Sequence, residues 1–392
     1  MKIVCDKKDM LNAVNKVIKA VPVRTTMPVL YCVLIDASGS LIRLTANDME
    51  LGIETIMEGT IEDRGILAIN AGIFYDLIRK MPEGMITVSS DENYTAQITG
   101  SKAHFQIGGM DGTEFVRLPY VEKDHPIRLS QMSLKDMIGR VLFSASPNDG
   151  NKIMTGLFME VEDGKMRMTA LDGHRLAMRT IELNEEADPE EEIDLSVDGD
   201  EEYGEEAGEA APLKISAILP GKTMGEIAKI LPGEADSLVS IYVTEKLVMF
   251  EFGETVVVSR LIDGEYFNVS HMITRDYETC VRVNRQEFME CLDRSTLIIR
   301  DNDKRPVILN ITDGVLDMKV DTEIGSMEEN MEVSKEGRDI KIGFNPKLLL
   351  DAMKAIEDDE IDLYFVNSKS PCFIRDQQES YVYLILPVNF VD

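Results

Sequence analysis

The chain has 392 residues, of which 44% are hydrophobic, with 71 acids against 41 bases and a formal net charge of −30. That balance argues against a nucleic-acid surface spread evenly over the molecule, because phosphate binding needs positive charge facing the backbone. The longest apolar run, Met27 to Ile35, is far short of the ~20 residues that span a bilayer. Met1-Lys2-Ile3-Val4 runs directly into alternating apolar residues, with no leader pattern. The five cysteines, Cys5, Cys32, Cys280, Cys291 and Cys372, include no CxxC pair. That points to a reducing, cytoplasmic setting without disulfides or zinc.

The first predicted elements are a short strand and an amphipathic helix in "KIVCDKKDMLNAVNKVIKAV" from Lys2. The same switch from period two to period 3.6 recurs in "PIRLSQMSLKDMIGRVLFSA" from Pro126 and "TCVRVNRQEFMECLDRSTLI" from Thr279. A hairpin with a Gly-containing turn follows each: "DASGSLIRLTA", "VEDGKMRMTA" and "ITDGVLDMKV". A second strand-helix-strand segment then appears in each third: "GILAINAGIFYDLIRKMPEGMITVSS", "APLKISAILPGKTMGEIAKILPGEADSLVSIYV" and "RDIKIGFNPKLLLDAMKAIEDDEIDLYFV". Thr45 and Thr169 occupy matching places 124 residues apart, and Lys319 is the next match, 150 further on. The surplus of 26 is close to the length of an acidic stretch, residues 184–213, which holds fourteen acids and no base. That stretch reads as an insertion, about 184–211, solvated and without apolar periodicity. Its Asp194, Asp198 and Asp200 do not fit a calcium loop. The expectation is an α+β chain of three similar domains, 1–123, 126–275 and 277–392, each with two helix-bearing halves.

The predicted helices, 7–20, 71–81, 131–144, 221–231, 285–298 and 345–356, hold fourteen Lys and Arg against eight Asp and Glu, leaving −36 for the rest. Each carries at least two bases. Ordinary solubilisation of helices mixes signs, so the contrast favours a shared basic surface. Lys16, Lys19, Arg79, Lys80, Lys135, Arg140, Lys222, Lys229, Lys347 and Lys354 are its candidates.

One charged turn, "TALDGHRLAM" at 169–178, invites a catalytic reading. Asp172-Gly173 is a hairpin signal, and the matching turns, "AND" at 46–48 and "VDT" at 320–322, carry no His. No nucleophile or metal-ligand spacing accompanies His174. A structural turn, a hydrolase using Asp172 and His174, and a protein-binding scaffold are the readings the residues leave open.

Seven segments in order resemble the bacterial sliding clamp family, the β subunit of DNA polymerase III: "RTTMPVL", "LTANDMELGI", "FVRLP", "TGLFMEVEDGKMRMTALDGHRLA", "SRLIDGEYF", "GFNPKLLLDAMKA" and "YLILPVNF". The resemblance implies a clamp fold in which two chains close head-to-tail into a ring lined by twelve helices. At about 9 Å separation, twelve helices give a circle about 35 Å across between axes, or about 25 Å clear, enough for a duplex. It implies double-stranded DNA as an encircled partner, Arg24 as a further DNA contact, and no catalysis, cofactor or metal. It also implies a groove for short peptides of polymerase, loader and repair proteins. Carried over, that groove comprises Met154, Leu171, Gly173, His174, Arg175, Leu176, Phe267, Met272, Pro371, Leu384, Leu386, Pro387 and Asn389. The sequence departs from the family pattern at Leu171 (commonly Thr), Phe267 (commonly Pro) and Asn389 (commonly Arg), and adds Val391 and Asp392. Phe105 and Ile107 are implied to meet Leu297 and Ile298 of a second copy, in place of an ordinary core role.

Overall fold

A computed structural model describes residues 1–148, 150–183, 214–300 and 305–390. The acidic insertion and the last two residues lie outside the described residues. The six helices fall where the periodicity puts them: α1 Lys7–Val17, α2 Ala71–Lys80, α3 Gln131–Val141, α4 Gly221–Ile230, α5 Arg285–Thr296 and α6 Pro346–Ala355. The C-terminal overhang of the predicted first and third helices is a tighter 3-10 turn, Ile18–Ala20 and Leu142–Ser144.

Their starts are chemically marked. The side chains of Asp6, Asn70, Asn284 and Asn345 accept from the N–H groups of Lys8, Ile73, Glu287 and Lys347. Ser130 Oγ accepts from Ser133 N in the same way at the start of α3. Each bond satisfies a donor that the first helical turn leaves open. Every helix also has a base in its last turn, among them Lys16, Arg79, Lys80, Arg140, Lys229, Arg294 and Lys354. There it complements the partial negative charge of the carbonyl end. Part of the basic bias of the helices therefore has a local cause.

The repeats are exact in register. Leu34 pairs with Thr45, Phe158 with Thr169, and Ile308 with Lys319. On the other side Thr45 pairs with Glu54, Thr169 with Met178, and Lys319 with Glu328. The same offsets recur three times. The next neighbours are Ala68 for Leu34 and Ile218 for Phe158, so the extra length enters between Met178 and Ile218. Two of the three Gly turns close directly: Glu162 faces Lys165 across Asp163-Gly164, both at positive φ (51° and 69°). That is the twist-matched turn that a two-residue hairpin requires.

The chain divides into two compact units, Met1–Lys135 with Lys222–Leu261, and Asp136–Gly221 with Ile262–Asp392. In the first unit an antiparallel sheet of thirteen strands runs on from the first repeat into strands of the middle one, where Thr255–Arg260 pairs with Leu51–Met57. Helix α1 packs on α2 and on Leu51–Met57. In the second unit the middle repeat's strand Arg175–Glu182 pairs with Tyr381–Ile385 inside a nine-stranded sheet, and a four-stranded sheet stands beside it in the chain's last third. Helix α5 packs on α6. No helix among the described residues is long and apolar enough to cross a membrane.

All five cysteines are thiols, four of them buried. Burial, reinforced by Asp9 and Asp6, pushes Cys5 up to about 12. Burial is also the main cause that raises Cys280 and Cys291 to about 11. Cys372, fully buried, is shifted upward too. Only the thiolate is reactive. In the folded chain at pH 8 these thiols should react with a disulfide reagent far more slowly than the same thiols in denaturant. A folded pKa above the unfolded one favours folding below the unfolded value, and the benefit is lost as pH rises through the folded value. Stability should therefore fall between about pH 9 and 11, an outcome a pH series of thermal melts would read; flat melting temperatures across that range would contradict it.

Candidate functional site

The second unit contains a buried apolar cluster where the groove was expected. Leu171 ends one strand, Leu176, second in the next, lies directly opposite it, and Leu176 in turn pairs with Leu384. Side chains alternate across a strand, so Leu171, Leu176 and Leu384 share one face of the sheet. They form a buried cluster with Ile218, Tyr266, Val269, Phe373 and Val382, flanked by half-buried Ile153, Met154, Phe158, Met178, Ile262, Phe267, Ile273 and Tyr364. Tyr266 lies flat on Phe158, with ring centroids 4.7 Å apart, and its hydroxyl donates to Thr169 O at 3.4 Å. Of the other groove candidates, Leu386 is 38% exposed and Met272 45% exposed. His174, Gly173 and Asn389 are exposed, and Pro371 and Pro387 half-buried.

The sequence reading placed Met154, Leu171, Leu176, Phe267 and Leu384 in this surface, and the structure brings those five together. It missed Tyr266, the neighbour of Phe267 and the more buried of the two, and it missed Phe158 and Met178. The register supplies that signal: Phe158 pairs with Thr169 and Thr169 with Met178, two residues along the same sheet face from the Leu171–Leu176 pair.

The turn 172–175 is structural, as one reading had it. Gly173 has φ +86°, in the region that favours glycine. Asp172 Oδ1 accepts from the N–H groups of His174 and Arg175 at 2.9 and 3.1 Å. Its Oδ2 takes the Arg175 guanidinium at 3.0 Å. Asp172 is thus spent on the turn, leaving the hydrolase reading without its carboxylate. Leu386 N donates to His174 O at 2.9 Å, which ties the turn to the strand that carries the exposed leucine.

Arg175 requires a correction. It was expected on the groove's polar edge, but it follows the alternation onto the opposite face from Leu176. Its side chain is only 11% exposed. Besides Asp172 it donates to Asp351 Oδ2 of α6 at 2.6 Å, and its guanidinium lies 5.2 Å from the Phe143 ring centroid.

Arg140 is likewise corrected as a phosphate contact. Its Nε donates to Asp136 at 2.5 Å, one terminal nitrogen donates to Ala355 O at 3.1 Å, and the other pairs with Glu357 at 2.9 Å. Its side chain is 13% exposed, so its charge is used inside the second unit. Lys16 is half-buried and donates to Thr255 Oγ1 at 3.1 Å; burial pulls its pKa down. Lys19 is also half-buried. The remaining candidates, Arg24, Arg79, Lys80, Lys135, Lys222, Lys229, Lys347 and Lys354, are exposed. Arg79 pairs with Asp76, Lys222 with Asp48 and Lys229 with Glu226 at 2.8 to 2.9 Å, while Lys135 donates to Leu231 O at 3.1 Å. The Arg79–Asp76 pair, open on both sides, is weak, whereas the Asp48 carboxylate that holds Lys222 is only 8% exposed.

The dimer candidates are not core residues. Phe105 is 45% and Leu297 79% exposed, and Ile107 and Ile298 are half-buried. Phe105 and Ile107 lie on the strand Ala103–Asp111, which pairs with Thr95–Gly100 on one side. On the other side only Gly109–Asp111 find a partner among the described residues. In the second unit, Ser326–Glu332 is the outer strand of its four-stranded sheet. Arg294 of α5 holds that strand through Glu329, a few residues before Leu297. Each candidate pair therefore accompanies an open strand edge. Among the described residues no cluster of His, Cys, Asp and Glu is placed to hold a metal ion.

The threefold α+β repeat, its capped helices and its long antiparallel sheets define a DNA-clamp fold. Three family models match in succession: the N-terminal domain of the DNA polymerase III beta subunit at residues 1–119, its central domain at 128–197 and 205–268, and its C-terminal domain at 270–389. The beta sliding clamps of Halalkalibacterium halodurans and Bacillus subtilis are each 31% identical, over 99% of this chain and all of theirs. A solved sliding clamp from Bacillus subtilis superposes with a TM-score of 0.89 at 30% identity, covering both chains fully. A Eubacterium rectale structure assigned to the same subunit gives 0.89 at 46% identity, also over both full chains. The chain belongs to the DNA polymerase III beta subunit family, the beta sliding clamps.

Replacing Arg175 by Ala leaves Asp172, itself 13% exposed, with only its two backbone N–H partners, and frees Asp351. A cost of about 1–3 kcal/mol is expected, the range for removing one partner of a poorly solvated charged contact. His174→Ala, at an exposed position, should stay within about 0.5 kcal/mol. Denaturant titration separates them; equal stability of the two variants would contradict the assignment.

Proposed function

We propose that two copies of this chain close around duplex DNA in the cytoplasm and hold the replicative polymerase through the Leu171–Leu176–Leu384 surface. Three domains, 1–123, 126–275 and 277–392, would then make a six-domain ring from two chains. As a sliding clamp the chain is a non-catalytic subunit of the polymerase complex, a processivity factor. The match of three consecutive family models along the chain carries this reading.

The exposed edges support the ring. The unpaired part of Ala103–Asp111 offers a row of N–H and C=O groups with Phe105 beside it. Ser326–Glu332 offers another, near Leu297. Such edges are liabilities unless covered. Pairing the first edge of one copy with the second edge of the other covers both, twice over, and closes the assembly.

The helix lysines support loose, sequence-independent contact. Lys80 and Lys354 are exposed point charges suited to phosphate rather than to base edges. The groove suits many partners: Met154, Met178 and Met272 can re-pack around different apolar anchors.

The test is topological. Loaded on nicked circular DNA the protein should persist, and linearising the DNA should release it within the time of free sliding. Lys80→Glu with Lys354→Glu should shorten retention on circles and flatten its salt dependence, while Arg140→Glu should act through stability instead. Equal retention on circular and linear DNA would overturn the ring.

A further inference from the structure

Resting on the groove reading above, we propose that Asp351 of helix α6 is a positioning residue for the peptide groove, acting through Arg175. Asp351 lies on a helix between Lys347 and Lys354, positions that share one helical face. Helix α6 packs on the strand Tyr381–Ile385, and Tyr383 pairs with Ala177 as Leu384 does with Leu176. Arg175 and Leu176 are consecutive on one strand, so they leave the sheet on opposite faces. Arg175 therefore works behind the groove, from the helix side.

The chain of contacts is short and polar. Asp351 Oδ2 accepts from Arg175 Nη1 at 2.6 Å, and Arg175 Nε donates to Asp172 at 3.0 Å. Asp172 holds the N–H groups of His174 and Arg175, and His174 O accepts from Leu386 N. Leu386 is the exposed apolar side chain of that wall. A guanidinium spreads its donors over a rigid planar fork that reaches one carboxylate from Nε and another from Nη1; an ammonium offers its donors from a single nitrogen. With Asp351 gone, Arg175 keeps one anchor and the turn loses its fixed position. The groove must then be ordered at the moment of binding, which lowers affinity without removing any peptide contact.

The experiment is a double-mutant cycle read by fluorescence polarisation, using a labelled segment of the cognate replicative polymerase that binds the parent chain. Asp351→Asn should weaken binding about 5- to 10-fold. Arg175→Ala should weaken it at least as much, and the double variant no more than Arg175→Ala alone. Arg175→Lys should recover only part of the loss. Hydrogen exchange at Leu386 N–H should quicken in Asp351→Asn while the global melting temperature stays near the parent's, which separates loosening of the turn from unfolding. Parent-like affinity in Asp351→Asn, or losses that multiply in the double variant, would overturn the proposal and leave Arg175 acting on the peptide independently of Asp351. If no polymerase segment binds the parent chain, the groove reading itself fails and this one with it.

Discussion

The structure depends on antiparallel ladders that the middle repeat shares with its neighbours. Thr255–Ser259 pairs with Leu51–Thr55, and Arg175–Arg179 pairs with Tyr381–Ile385. Neither the first nor the last third of the chain completes its sheet alone. The two compact units consequently do not follow the repeats: each joins a terminal third to part of the middle one. The Leu171–Leu176–Leu384 cluster, the proposed groove, is a product of the second ladder. Leu176 meets Leu384 because the register is what it is; a slip of one residue would set Tyr383 opposite Leu176 and turn one wall to the wrong face. A binding surface built on paired strands is positioned more firmly than one built on loops alone.

Much of this was legible in the sequence because it is local. Helix positions follow from apolar spacing, and hairpin turns follow from Gly-containing turns such as Asp-Gly. The insertion's place follows from one anomalous interval between otherwise matching residues. That Met154, Leu171, Leu176, Phe267 and Leu384 gather in one cluster was legible through the family motifs, several of which fall on strand ends. What was not legible depends on long-range partners. Arg175 sits beside His174 in sequence, and nothing local says that its guanidinium is taken by Asp351, 176 residues away. Arg140 looks like any surface base until Glu357 and the carbonyl of Ala355 are placed beside it. Tyr266 was passed over for Phe267 because only the fold shows which of two adjacent aromatics turns inward.

Charge does two kinds of work here. A base in the last turn stabilises the helix that carries it, and every helix has one, whatever it faces. That accounts for part of the contrast between the helices and the acidic remainder. The lysines whose ammonium groups stay exposed are a separate set, and Lys222 among them is held by the nearly buried Asp48 carboxylate. Counting bases cannot separate the two kinds; burial and partner geometry can.

Ring closure by two copies joins the open edges, the exposed Phe105 and Leu297, and the helix charges in one account. Sedimentation equilibrium at micromolar concentration tests it most directly. The account predicts a mass about twice that of the 44.0 kDa chain, reduced toward one chain by Phe105→Asp. A parent protein that remains a single chain across that concentration range would contradict it.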